Sequence, residues 1–175
     1  MRYIVADQFG DTLNLFLDSM NLNPTSTLAS IVAVSAFDAE KNNCANHLID
    51  RLLLAAIDKP DSHAARVIRS LADEWRVEQI RSQIERELND SEPANEVDSA
   101  ALRADFFTKI YNLLSSVAIA GEPLNTGHIL LLAIADSTTI SNEILRSHLI
   151  GSQRLAEAMG VLEVEEDRHL DMSLQ

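Results

Sequence analysis

The sequence predicts an all-α domain of two tandem, pseudo-symmetric four-helix repeats, preceded by a short extra helix. Three observations predict it. The first is composition: in 175 residues there are only 5 Gly and 4 Pro, apolar residues make up 46% and aromatics 5%. Ala, Leu, Glu and Arg, which lose little freedom in a helix, dominate, so the interior must be assembled from aliphatic side chains on helices. The second is apolar spacing at i, i+3, i+4 and i+7 in one segment after another. The third is self-similarity. Residues 49–71 align with residues 126–148 at a shift of 77 without gaps, with identities at Leu53/Leu130, Leu54/Leu131, Ala56/Ala133, Ile57/Ile134, Arg69/Arg146 and Ser70/Ser147.

Each element follows from its residues. Leu13, Phe16, Leu17 and Met20 form one apolar stripe with Asp11 available as a cap, a short helix within an extension over residues 1–22. Asn23-Pro24-Thr25-Ser26 reads as a break and a new N-cap. The first repeat spans residues 23–89. Its first helix runs to about residue 40, with Leu28, Ile31, Val32, Ser35, Ala36 and Ala39 on one face, and ends at Asn42-Asn43. A second covers about 48–57 and stops before Pro60, which does not continue a helix. A third covers about 62–72. A fourth covers about 74–88 and presents Val77, Ile80, Ile84 and Leu88.

Residues 90–98 are polar, contain Pro93 and form the linker. The second repeat, residues 99–160, then restarts the order. Phe106, Phe107, Ile110, Leu113, Leu114, Val117 and Ala118 form a stripe that Gly121-Glu122-Pro123 ends. Helices follow over about 126–135 and 140–149, and a short one reaches about Met159. The first helices of the two repeats correspond at a shift near 78 (Leu28/Phe106, Val32/Ile110, Ala36/Leu114). Amphipathic helices can resemble one another by chance. The shared order of long helix, polar loop, apolar helix, four-residue turn and helix ending Arg-Ser favours duplication. Residues 161–175 are an acidic tail, expected to be solvated and disordered.

The block Leu52–Leu71 resembles the N-terminal domain of the Clp/Hsp100 chaperone ATPases, and Thr126-Gly127-His128 followed by a leucine-rich helix is similar to that family's repeat start, Thr-Glu-His. The resemblance covers about residues 24–160. Gly127 stands where the family has Glu, Ile49-Asp50-Arg51 stands in place of the first Thr-Glu-His, and residues 1–22 are additional. The resemblance implies a double Clp repeat that does no chemistry itself and recruits substrate peptides, adaptor proteins or components of a Clp-type ATPase or protease.

A net charge of −13 disfavours nucleic acid and anionic membrane surfaces as partners. One cysteine, Cys44, leaves no internal disulfide, and no apolar run approaches the roughly 20 residues of a membrane span. A cytoplasmic protein, monomeric or weakly dimeric, is expected. The glycines at 10, 121, 127, 151 and 160 are isolated, so no phosphate-cradling loop forms and no cofactor is expected. Asp58, Asp61 and His63 gather near one turn, where capping by Asp61 or Ser62 is a better reading than a metal site. His128 reads as a structural residue of a first helical turn, Cys44 as an ordinary thiol, and Trp75 as packing under a loop rather than anchoring a partner. Arg66, Arg69, Arg76, Arg81 and Arg86 interleave with Glu78, Glu85 and Glu87 and read as ion pairs rather than a basic docking patch. The sequence therefore predicts a protein-recognition module with no catalytic, cofactor or metal residues. The alternatives are a self-associating regulator or, from a different class, a small helical enzyme in which His128 stands beside a carboxylate.

Overall fold

Helix α1 (Ser26–Lys41) starts at the predicted break: Thr25 is extended, and its Oγ1 accepts a hydrogen bond from Leu28 N at 3.1 Å. Lys41 lies in the last turn, where a cation suits the helix dipole. The computed structural model describes residues 23–42, 44, 46–90, 99–119 and 121–166. The expected helix over residues 11–20 and nearly all of the expected linker fall outside them.

α2 (Leu48–Ile57) is entered through His47 in the left-handed region, φ 57°. The turn after it is closed by Ser62, whose Oγ donates to Ala56 O at 2.6 Å and accepts from Ala65 N at 3.1 Å as the cap of α3 (His63–Leu71). α4 (Glu74–Asp90) buries Val77, Ile80, Ile84 and Leu88, as its spacing predicts, and Asp73 Oδ1 takes up Arg76 N at 2.8 Å. In α5 (Ser99–Val117) the buried positions are Leu102, Phe106, Ile110 and Leu114. The wider predicted stripe narrows, because Phe107, Leu113 and Val117 are only half-buried at its edges.

α6 (Gly127–Ala135) and α7 (Ile140–Ser147) are joined by a tight turn in which Thr139 Oγ1 accepts from Asn142 N at 3.1 Å. α7 ends two residues earlier than expected. Leu149 adopts φ 62°, its N donates to Arg146 O at 3.0 Å, and Ile150 N donates to Leu145 O at 2.9 Å. These two bonds satisfy carbonyls that a helix end otherwise leaves open. α8 (Ser152–Val161) buries only Leu155 fully.

Among the described residues there is no strand, only an isolated parallel bridge between Pro24 and Leu124, with Thr25 N to Leu124 O at 2.8 Å and Leu124 N to Asn23 O at 3.0 Å. α2 and α6 pack against each other. α2 touches α1, α3 and α4 and reaches over to α6 and α7; α6 touches α5, α7 and α8 and reaches back to α2 and α3. α1 lies on α5, α3 on α8, and α4 on α7. Among the described residues one apolar core runs through all eight helices, with Leu53 and Leu130 at 0% exposure.

Two expectations need correction. Trp75 does not pack under a loop: it is 68% exposed, because it stands in the first turn of α4 on the side away from Val77 and Ile80. The acidic tail is not wholly solvated either. Residues 163–166 fold back on the helices, since Glu166 finds amide and hydroxyl donors there and Arg66 reaches Glu163 O at 2.9 Å and the Glu165 carboxylate at 3.5 Å.

Candidate protein-recognition site

A cavity of about 440 Å³ opens between the start of α2, the middle of α5 and the α6–α7 turn. Leu48, Ile49 and Leu113 form its apolar surface; Asn46, His47, Lys109, Asn112, Asp136 and Thr138 line the rest. That size suits a few side chains of a ligand and not a whole helix.

Asp50 anchors the floor. It is 1% exposed, yet its carboxylate is satisfied: it accepts from Ser141 N at 2.7 Å, Ser141 Oγ at 2.5 Å and Ile140 N at 3.3 Å. Two of these donors are the first amides of α7, where a negative charge is stabilised by unpaired N–H groups and the helix dipole. His47 Nδ1 lies 3.8 Å from the same carboxylate. The turn opposite is stiffened by Asp136, whose Oδ1 accepts from Thr138 N at 2.9 Å and Thr138 Oγ1 at 2.6 Å. Those bonds hold its carboxyl below the usual carboxylate range. Asn142 Nδ2 ties the turn to α6 through Ala133 O and Ile134 O, at 3.1 and 2.9 Å. The groove therefore has a rigid rim, and Lys109, paired with Asp105 at 2.9 Å, is the cation on it.

A second polar junction lies at the start of α3. Ala64 N donates to Thr126 Oγ1 at 2.9 Å. The Glu166 carboxylate accepts from His63 N at 2.6 Å, Thr126 N at 3.0 Å, Thr25 Oγ1 at 2.7 Å and the Thr126 hydroxyl. His63 is 1% exposed, and burial pushes its imidazole below the ordinary histidine value despite the nearby Glu166.

The residues singled out in the sequence are dispersed. Asp58 pairs with Arg81 at 2.5 Å, away from the buried His63, and Ser62 does the capping. Among the described residues no group of three or more His, Cys, Asp or Glu side chains could hold a metal ion. His128 Nδ1 is taken up by the backbone of its own turn, accepting from Asn125 N at 3.0 Å. Cys44 is buried. Of the arginines, Arg81 contacts Asp58, Glu85 and Glu78, Arg69 contacts Glu74, and Arg66 contacts the 163–166 segment. The Asp58 hydrogen bond raises the Arg81 pKa further.

Sequence reasoning missed Asp50, Thr126 and Glu166. Asp50 had a usable signal, an acidic residue flanked by Leu48, Ile49, Leu52 and Leu53 on the buried side of a helix. Among the described residues no helix is long and apolar enough to cross a membrane. Comparison with protein-family models, curated proteins and solved structures finds no match for this chain.

Proposed function

We propose that this chain is a protein-recognition module of the Clp N-domain kind, made of two copies of a four-helix unit and engaging a substrate peptide, an adaptor or a Clp-type ATPase or protease component without chemistry of its own. The observation that carries the reading is the reciprocity of the helix contacts. Exchanging α1–α4 for α5–α8 turns the α1–α2 contact into α5–α6, α2–α4 into α6–α8, α3–α8 into α7–α4 and α3–α6 into α7–α2, and each of these contacts is present. The α2–α6 and α1–α5 contacts map onto themselves. Unrelated helices have no reason to pack this way; a duplicated unit does. The donors Ser141 N and Ala64 N, at aligned positions 77 residues apart, each bond a side chain of the other unit, Asp50 and Thr126.

The groove beside Asp50 lies where the two units meet. Leu48, Ile49 and Leu113 offer apolar contact, while Lys109 and the Asn and Thr side chains offer hydrogen bonds to an extended backbone. Its small size favours weak, broadly specific binding of a cytoplasmic partner by a monomer or weak dimer. The test is titration of the isotope-labelled protein with an unfolded polypeptide, reduced and carboxymethylated α-lactalbumin. Saturable shifts at Leu48, Ile49 and Leu113, lost on Asn112→Trp, are the expected result. Absence of binding at millimolar peptide, or phosphate release from ATP above buffer, would sink the reading.

A further inference from the structure

The two polar junctions differ in one respect. At the start of α7 the carboxylate is built into α2 as Asp50. The internal alignment pairs Asp50 with Gly127, and Ile140 and Ser141 with His63 and Ala64. At the start of α3 the equivalent carboxylate cannot come from position 127. A Cβ there would lie 2.8 Å from Asn125 Oδ1 and 2.8 Å from His63 Cδ2. Glu166 supplies it instead, from a segment 103 residues away from His63 in sequence.

His63 N, Thr126 N, Thr25 Oγ1 and Thr126 Oγ1 all converge on one carboxylate, and both threonines have further bonds that do not involve Glu166. Thr25 is held as the cap of α1, and Thr126 by Ala64 N. The His63 ring lies against Gly127, with Nδ1 buried and without a hydrogen-bond partner among the described residues. Residues 163–165 are held more lightly: Glu163 and Glu165 are exposed, and among the described residues their polar contacts are with Arg66. A cleft of about 570 Å³ continues from Glu165 between Ser26, Pro60, Asp61 and Arg66.

We propose that this cradle is a carboxylate-binding site for an acidic peptide in extended form, and that residues 163–166 are its resident, displaceable occupant. The ligand places one Glu or Asp carboxylate on the His63 and Thr126 amides and lays its flanking residues along Arg66. The segment tethered in cis competes at high effective concentration, so the site is masked until the segment leaves. The inference rests on these hydrogen bonds and is independent of the groove beside Asp50.

The test uses the full chain, its Glu166→Ala variant and a labelled synthetic peptide with the sequence of residues 161–167. The variant is expected to bind the peptide at least about tenfold more tightly than the unmodified chain, because the competent fraction rises. A peptide with Gln in place of Glu166 is expected to lose that binding. Equal affinity for both proteins, no binding to the variant, or undiminished binding of the Gln peptide would each overturn the proposal. Circular dichroism establishes that the variant is folded. Should it not fold, hydrogen exchange on the unmodified chain decides: His63 and Thr126 amides that exchange faster than the core of α3 support a displaceable occupant, and amides that exchange only with global unfolding refute it.

Discussion

Leu149 is a large apolar side chain, 72% exposed, in a backbone conformation that favours glycine, φ 62°. It occupies the position after a helix C-cap where the left-handed residue closes the last turn. Relief of the left-handed strain, set against the greater chain entropy of glycine, should leave Leu149→Gly about 0.5–1 kcal/mol more stable than the unmodified chain. Urea denaturation checks this, with no change expected in helical signal. His63 gives a prediction of opposite character. Its pKa is lowered chiefly by burial; Glu166 acts to raise it, and Arg66 and His128 to lower it. An unfolded histidine takes up its proton near 6.5, while the folded one does so only at lower pH. Between those values the unfolded state binds more protons, so stability is complete above about pH 6.5 and falls as the pH drops through that window. His148 is lowered by burial too and acts in the same direction. Melting temperature measured from about pH 7.5 down to about pH 5.5 should fall, and His63→Gln should flatten the fall.

Among the elements, α7 depends on a partner from elsewhere in the chain. Its first amides and Ser141 Oγ are satisfied by Asp50 of α2. Asp50→Ala leaves those donors buried and unpaired and should cost about 3 kcal/mol. Denaturant unfolding measures the loss, which Ser141→Ala should reproduce only in part. Most of the described helices were legible from the sequence to within about two residues, because Val77, Ile80, Ile84 and Leu88, or Leu28, Ile31 and Val32, write the buried face directly as a 3.6-residue period; α5 begins at Ser99, seven residues ahead of its predicted stripe. Breaks were legible where Pro60, Gly121 or an N-cap threonine or serine interrupts that period. The polar junctions were not. Glu166 looks like one more residue of a charged tail, and two of its four partners are backbone N–H groups, which every residue but proline carries, the other two being threonine hydroxyls. Trp75 was misread for a related reason: a lone aromatic at a helix start says nothing about which side of the first turn faces out.

At the level of the whole molecule, the two halves cannot be separated cheaply. α2 packs on α6, α3 on α8 and α4 on α7, and Leu52, Leu53, Ile110, Leu130 and Ala133 belong to one continuous core. Cutting between residues 90 and 99 would expose those aliphatic faces on both fragments. The intact chain should therefore melt in one cooperative transition. Fragments covering 23–90 and 99–166, made separately, should show no cooperative transition, and mixing them should restore it. Calorimetry with circular dichroism distinguishes these outcomes, and a separately stable fragment would contradict the shared core.

The bridge of Pro24 to Leu124 and the 2.7 Å bond from Thr25 to Glu166 bring the two ends of the described body side by side. Polypeptide attached ahead of residue 23 and polypeptide attached after residue 166 would leave from one corner. The helical body could then be spliced into a surface loop of a host protein as a side-lobe, with both junctions spanned by short connectors and the host fold left unstretched.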